Sequence, residues 1–289
     1  MFRSIVHGSK NQTDRMKNFA NKIVVITGAG SGIGRALALA FGKLGAKLVL
    51  NDYSETTLNE TLEKLRALNY SCIHHAVFDV SDEAAMFGFA ADIKRDHGKA
   101  SVVINNAGIA GSAELSVNTP IDIYRRVMDI NFYGMLYGCK AFMDQLLENE
   151  EGAIVNMSSI YGLMGVPRNT DYCASKFAVR GYTEALSVEL YQSPVSVHCV
   201  HPGGIKTNIL SSLPGNKQLG KFKDRFLTTP PEDLAARIIK GIVKNEPRIV
   251  YGNQSFGAWL GSRLLSKRSQ DKILWKRFRK ILVDKPANR

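Results

Sequence analysis

From residue 22 onward, short apolar runs alternate with longer stretches whose apolar positions recur at helical spacing. The apolar runs, rich in Val and Ile, lie at 23–27, 46–51, 72–78, 101–105, 152–157, 195–200 and 247–251. The helix-like stretches lie near 32–44, 54–68, 82–97, 120–148, 172–192 and 231–245. A strand apolar at every position is buried on both faces, and strands separated by helices pair in parallel through right-handed crossovers. The pattern predicts an α/β fold: one doubly wound domain over 21–252, with about seven parallel strands, helices on both faces and a C-terminal helical extension over 253–289. The segment 206–230 breaks the rhythm. It is irregular and carries Ile209, Leu210, Leu213, Leu219, Phe222, Phe226 and Leu227, which reads as a lid.

Composition narrows the class. A chain of 289 residues that is 45% hydrophobic holds a sizeable core and is not intrinsically disordered. No apolar run is long enough to predict a spanning helix. The segment 1–20 is polar and reads as a basic arm, not a secretory signal. The cysteines (Cys72, Cys139, Cys173, Cys199) form no CxxC pair and no metal-ligand spacing. They read as reduced thiols of a cytoplasmic protein, and no metal site is expected. His74 and His75 point to opposite faces of a strand, which argues against a shared metal. The formal charge of +12 is unevenly placed: residues 1–22 carry +4, residues 257–289 carry +8, and the body between them is neutral. A neutral body argues against a nucleic-acid groove, and basic ends point to a polyanionic surface such as lipid.

Val24-Val25-Ile26-Thr27 runs directly into Gly28-Ala29-Gly30-Ser31-Gly32-Ile33-Gly34, after which a helix begins. Glycines there let the backbone turn tightly and approach a pyrophosphate, and the helix N-terminus directs free N–H groups at it. Asp52 closes the second apolar run, where a carboxylate can accept both ribose hydroxyls and repel a 2′-phosphate. The signature is that of a Rossmann-type dinucleotide site with NAD favoured over NADP. Arg35, one position inside the helix, is the basic residue that could favour NADP instead.

Tyr172 and Lys176 stand at i and i+4 of a helical run, on one face. A phenol titrates near pH ~10, and a neighbouring ammonium lowers that value toward a useful acid/base. Ser159 follows the fifth apolar run and offers a hydroxyl to hold a substrate oxygen. A Tyr/Lys pair by itself is also what an ordinary surface helix presents. Here it stands in a fixed order with TGxxxGIG (Thr27–Gly34), Asp79, Asn105-Asn106-Ala107-Gly108, Asn131, Ser159 and the Pro202–Thr207 segment PGGIKT. Over about residues 20–250 the chain resembles a short-chain dehydrogenase/reductase, with some likeness to hydroxysteroid and retinol dehydrogenases around the catalytic segment.

That resemblance implies an oxidoreductase that passes a hydride between a nicotinamide cofactor and a CH–OH group. Tyr172 would be the general acid/base, Lys176 would assist it and bind the nicotinamide ribose, Ser159 would orient the substrate, and Asn131 would hold a relay water. Gly28, Ser31, Gly32, Ile33, Gly34 and Asp52 would bind the cofactor, with Asp79 and Val80 at the adenine and Asn106, Ala107 and Gly108 along its path. Pro202, Gly203 and Thr207 would seat the nicotinamide. The resemblance also implies a homo-oligomer, dimer or tetramer, through the helices near 120–148 and 172–192.

Leu163 and Met164, between Ser159 and Tyr172, join Ser159 and Tyr172 as substrate-binding candidates. With the apolar lid they point to a lipophilic secondary alcohol or ketone. The alternatives are an NADPH-dependent carbonyl or acyl-chain reductase and a non-catalytic cofactor-binding scaffold. Past the seventh run, Ile273, Leu274, Phe278, Ile281 and Leu282 fall broadly on one helical face, with Trp275 at its boundary and basic residues elsewhere. Such a helix can lie at a membrane surface, which predicts a cytoplasmic protein with peripheral membrane contact through this tail. Nucleic acid is not an expected partner.

Overall fold

The computed structural model describes residues 16–209 and 226–283. Seven strands form one parallel sheet: β1 (Ile23–Thr27), β2 (Lys47–Asp52), β3 (Cys72–Val77), β4 (Val102–Asn105), β5 (Gly152–Met157), β6 (Val195–Pro202) and β7 (Arg248–Tyr251). Their order across the sheet is β3-β2-β1-β4-β5-β6-β7. The direction of winding reverses between β1 and β4. A crevice opens there at the carboxyl ends of the strands, the place where doubly wound sheets bind ligands.

The strands are mostly apolar, with His74, Asn156 and His198 among the exceptions, because helix layers cover the two faces of the sheet. Val24 and Ile26 of β1 belong to a core with Leu37 and Phe41 of α1 (Gly32–Lys43), Leu58 and Leu65 of α2 (Glu55–Ala67), and Ile238 and Ile242 of the helix before β7. Ile23 and Val25 point the other way, toward Phe89 and Ile93 of α3 (Glu83–Asp96) and the helices of the second layer. Alternation along a single strand thus feeds two separate cores.

The predicted helix over 120–148 is three pieces: α4 (Ile121–Met128), a π-helical turn (Asp129–Tyr133) and α5 (Gly134–Leu147). A π turn accommodates one extra residue in a helix and is frequent at functional sites. Gly134 follows it, and a Cβ there would come within 2.6 Å of Val80. The helix carrying Tyr172 and Lys176, α6 (Thr170–Glu189), begins two residues before Tyr172, and β6 continues two residues beyond its predicted end at 200. The chain then runs through α7 (Pro231–Val243) and β7 into α8 (Ser255–Leu264) and α9 (Lys267–Val283). Of the lid, 210–225 lies outside the described residues. Its flanks are tied by isolated bridges between Ile205 and Thr229 and between Gly204 and Asn253.

Candidate active site

The β1–α1 turn is shaped by positions that exclude a side chain. Gly28 and Gly32 have φ of +64° and +50°, a region costly for any residue with a Cβ. At Gly34 a Cβ would stand 2.0 Å from the Gly28 carbonyl oxygen. Ser31 is the N-cap of α1, but its side chain makes no capping hydrogen bond and the first turn of α1 holds no acidic residue. The first N–H groups of α1, with Ile33 among them, therefore have no anion of the chain's own in that first turn, and an N-terminus of this kind suits a phosphate.

The neighbouring loops hold this turn in place. Thr27 Oγ1 accepts from the backbone N–H of Asn106 and of Ala107, both at 3.1 Å, and Asn106 Nδ2 donates to the Thr27 carbonyl at 2.9 Å. The Asn106 amide is thus engaged with the glycine turn itself. On the other side Asp52, buried at the end of β2, accepts from Gly30 N–H at 2.7 Å and from Ser54 N–H at 3.0 Å. Each of its oxygens keeps acceptor capacity. Arg35 does not face that carboxylate's open side. Its guanidinium donates to Glu60 (2.7 Å), Thr61 Oγ1 (2.9 Å) and the Thr57 and Gly30 carbonyls, so it is spent on α2 and the turn. Asp79 is tied to Ser81 and Arg126, and Val80 is buried beside Gly134.

Ser159, Tyr172 and Lys176 meet at the carboxyl end of β5. Ser159 Oγ accepts the Tyr161 N–H at 3.1 Å, which leaves its proton free to donate. That hydroxyl lies close enough to the Tyr172 phenol to favour its ionised form. Behind it, His201 Nδ1 bonds the Ser159 carbonyl at 2.9 Å; burial lowers this histidine to about 4, so it serves as a neutral prop. Lys176 is 3% exposed and donates from Nζ to the Met157 carbonyl at 3.0 Å, with Nζ 5.5 Å from the Tyr172 ring centroid.

The expected lowering of the phenol by Lys176 is not what this geometry produces. Burial pushes Tyr172 well above the ordinary phenol range, opposed by the nearby Ser159 hydroxyl, and lowers Lys176 to about 8. Desolvation of each charged form sets both directions while the ammonium is turned to Met157.

The π turn fixes Asn131. Its Oδ1 accepts from Ile109 N–H (2.8 Å), and its Nδ2 donates to the Ile109 carbonyl and to Ser175 Oγ (both 3.1 Å). A Cβ on Gly108 would stand 3.0 Å from Asn131 Oδ1 and 3.4 Å from Lys176 Nζ, so glycine keeps the space between them clear. Pro202 ends β6, Gly203 N–H bonds the Tyr251 carbonyl at 2.8 Å, and Thr207 reaches back over the glycine turn, 3.0 Å from where a Gly32 Cβ would be. Leu163 is buried and Met164 half-buried.

Three residues were not singled out as site candidates from sequence. Asp171, 1% exposed, accepts Ser112 N–H at 2.6 Å and Tyr172 N–H at 2.8 Å, joining the loop after β4 to the first turn of α6. An acidic residue at a helix start is a readable signal, though not for this bridge. Tyr161 packs edge-on to Tyr172 with centroids 5.9 Å apart. Arg277 of α9 lies 5.4 Å over the Phe226 ring.

A reversed winding point, a glycine turn opening a helix and a buried Ser-Tyr-Lys group together define a dinucleotide-dependent oxidoreductase. The short chain dehydrogenase family model matches residues 22–218, and the chain belongs to that family. SadH, named as an oxidoreductase in Mycobacterium tuberculosis, is 38% identical over 263 residues, covering 88% of this chain and 95% of its own. Epidermal retinol dehydrogenase 2 of Mus musculus is 39% identical over 247 residues, covering 81% of this chain and 77% of its own. A Burkholderia phymatum short chain dehydrogenase/reductase, solved in complex with NAD, superposes with a TM-score of 0.79 at 28% identity, covering 95% of this chain and 99% of its own.

Proposed function

We propose that this chain is an NAD-dependent dehydrogenase interconverting a lipophilic secondary alcohol and its ketone. The observation that carries the cofactor choice is the pairing of Asp52 with a diverted Arg35. The carboxylate stands beside the glycine turn, and the arginine that could offset its repulsion of a 2′-phosphate is engaged with Glu60 and Thr61. The relative solved with NAD fits this reading. The residues suit the dinucleotide: the α1 N-terminus for the pyrophosphate, Asp52 for the adenosine ribose, and the space beside Gly108 and Lys176 for the nicotinamide ribose. When bound, NAD supplies the hydride acceptor.

The chain's own residues then handle one proton. Ser159 Oγ and Tyr172 Oη converge on the position of the substrate oxygen, Ser159 as donor and Tyr172 as the group that takes the proton in oxidation and returns it in reduction. Asn131 and Lys176 lie on either side of Gly108, which supports a relay through Asn131 that returns the lysine's proton to solvent. A lipophilic substrate is supported by Tyr161 packed edge-on to Tyr172, by the apolar Leu163 and Met164 that follow it, and by a relative named for retinol. Exposed Ile121, Tyr133, Phe177 and Val188 on α4, the π turn and α6 support a homo-oligomer.

The test is a parallel titration with NAD⁺ and NADP⁺ by calorimetry and thermal shift, followed by NADH production from secondary alcohols of increasing chain length. NAD⁺ binds tighter by about tenfold or more, equivalent to ~1.4 kcal/mol, and turnover per KM rises with chain length. Tighter NADP⁺ binding overturns the cofactor assignment, and flat dependence on chain length overturns the lipophilic substrate.

A further inference from the structure

The helices that follow β7 carry an apolar face that nothing in the described fold covers. On α8, Phe256, Leu260 and Leu264 recur at i, i+4 and i+8, one stripe along the helix. They are 67%, 38% and 73% exposed. The adjoining side of α8 is the packed one: Ser255 is buried and Trp259, whose ring lies 5.8 Å from that of Phe256, is half-buried. Ile273 and Trp275 on α9 extend the exposed apolar surface. Of the expected tail face, Ile273 faces solvent while Leu274 and Phe278 are half-buried.

Charge selects what covers this surface. Between 255 and 283 the chain has one acidic residue, Asp271, and it is paired with Lys267. Arg263, Arg268, Lys272, Lys276, Arg277 and Arg279 are all exposed around the apolar stripe. A second copy docked face to face would set like charges against each other. Nucleic acid would use the charges and leave the stripe in water. No helix of the described residues is long and apolar enough to cross a membrane. Exposed apolar side chains ringed by cations match a surface of anionic lipid, where the stripe enters the acyl boundary and the cations meet headgroups.

We propose that α8 and α9 dock this protein on an anionic lipid surface. The same helices border the catalytic mouth. α8 packs on the turn Ile160–Gly162 that follows Ser159, and Arg277 of α9 donates to Gln254 Oε1 at 2.9 Å while lying over Phe226. Docking therefore brings the segment that follows Ser159 close to the bilayer, a placement that rests on the lipophilic-substrate reading for its use but not for its occurrence.

Both tryptophans of the chain, Trp259 and Trp275, lie in this pair of helices, so intrinsic fluorescence reports on it alone. The intact protein is mixed with phosphatidylcholine vesicles, with and without phosphatidylserine, and followed by flotation and by quenching with brominated lipid. It floats with the phosphatidylserine vesicles, loses binding as salt rises, and its tryptophan emission is quenched. Lys272→Gln with Lys276→Gln weakens partitioning by about 25-fold, about fivefold per basic residue near the surface. Leu260→Glu with Leu264→Glu weakens it by about tenfold or more for the lost apolar contact. Both pairs keep the NAD-dependent thermal shift, which shows that they fold.

Absence of flotation, binding indifferent to phosphatidylserine and salt, or binding unchanged in both variant pairs overturns the proposal. So does a dimer in solution that either pair dissociates. Turnover of a lipophilic alcohol in detergent without vesicle binding removes the docking and leaves the catalytic reading. Vesicle binding without turnover of any alcohol does the reverse.

Discussion

At the carboxyl ends of β1, β4 and β5, the buried polar groups are nearly all tied to one another, whereas α8 and α9 present apolar and cationic groups that few internal contacts satisfy. Asn105 Nδ2 donates to Asn156 Oδ1 at 2.9 Å, and Asn156 Nδ2 donates to Thr183 Oγ1 at 3.1 Å, a polar chain running through the sheet into α6 below Tyr172. Buried groups of this sort cost free energy unless partnered, and once partnered they fix geometry tightly. The floor is built to hold atoms still. The rim has the opposite economy: exposed Leu264 and Leu265 cost little in water singly, but as a patch they stabilise an interface with something outside the chain. The proposed chemistry and the proposed lipid docking thus fall on different stretches of sequence.

The contrast is sharpened most by Tyr172→Phe. The substitution keeps the packing on Tyr161 and removes only the proton carrier, so kcat falls by about 10³-fold while NAD binding and vesicle partitioning stay as they were. Steady-state kinetics beside calorimetry check this. Residual activity near that of the unaltered enzyme would mean that the floor does not do the chemistry.

Lys176→Met tests what holding an ammonium in the floor costs. Burial lowers Lys176 from 10.5 to about 8 in the folded chain. Between those values the unfolded chain binds more protons, so stability rises with pH across that window and the cost is fully present below about 8. The variant therefore loses activity by about 10²-fold or more and melts higher at pH 7. The gain is about 1–3 kcal/mol, since the unpaired Met157 carbonyl offsets part of it. Melting curves at several pH values show the gap between the two proteins closing toward pH 10.5. A variant less stable at neutral pH would show that the Met157 bond outweighs desolvation.

The same division governs what could be read without the structure. All seven strands were visible because short runs rich in Val, Ile and Leu outweigh the polar positions inside them, such as His74, Asn156 and His198, and the glycine turn was visible because only glycine meets its steric demands. The π turn was not, because it depends on one extra residue between α4 and α5 and on Gly134 meeting Val80, a contact 54 positions apart in sequence. The motif residue Asn106 could be named, but the direction of its hydrogen bonds toward Thr27 could not. Nor could the net shift at Tyr172, which depends on how completely Lys176 is desolvated and where its Nζ turns. In the tail, amphipathic spacing showed that a face exists but not how much of it the domain covers, because the sequence of one helix does not say which side its own domain packs against.

Asp171 gives the finest test of the floor, because it touches neither the phenol nor the ammonium. Its two oxygens receive one N–H from the loop after β4 and one from Tyr172 itself, and Gly111 lies so close that a Cβ there would fall 2.2 Å from Oδ1. The carboxylate therefore sets the distance between the Asn131-anchored loop and the start of α6. In Asp171→Asn one of the two acceptors becomes a donor facing another donor, so the loop and the helix move apart. A displacement of under an ångström at Tyr172 is enough to matter for proton transfer, and kcat falls by about tenfold. Stability drops by about 1–3 kcal/mol for the broken charged hydrogen bond. The Kd for NAD stays unchanged, because the glycine turn is held through Thr27, Asn106 and Asp52 by separate bonds. If NAD binding weakened in step with kcat, the loop and the glycine turn would be one mechanical unit, and the floor would be cooperative where its bonds suggest two halves.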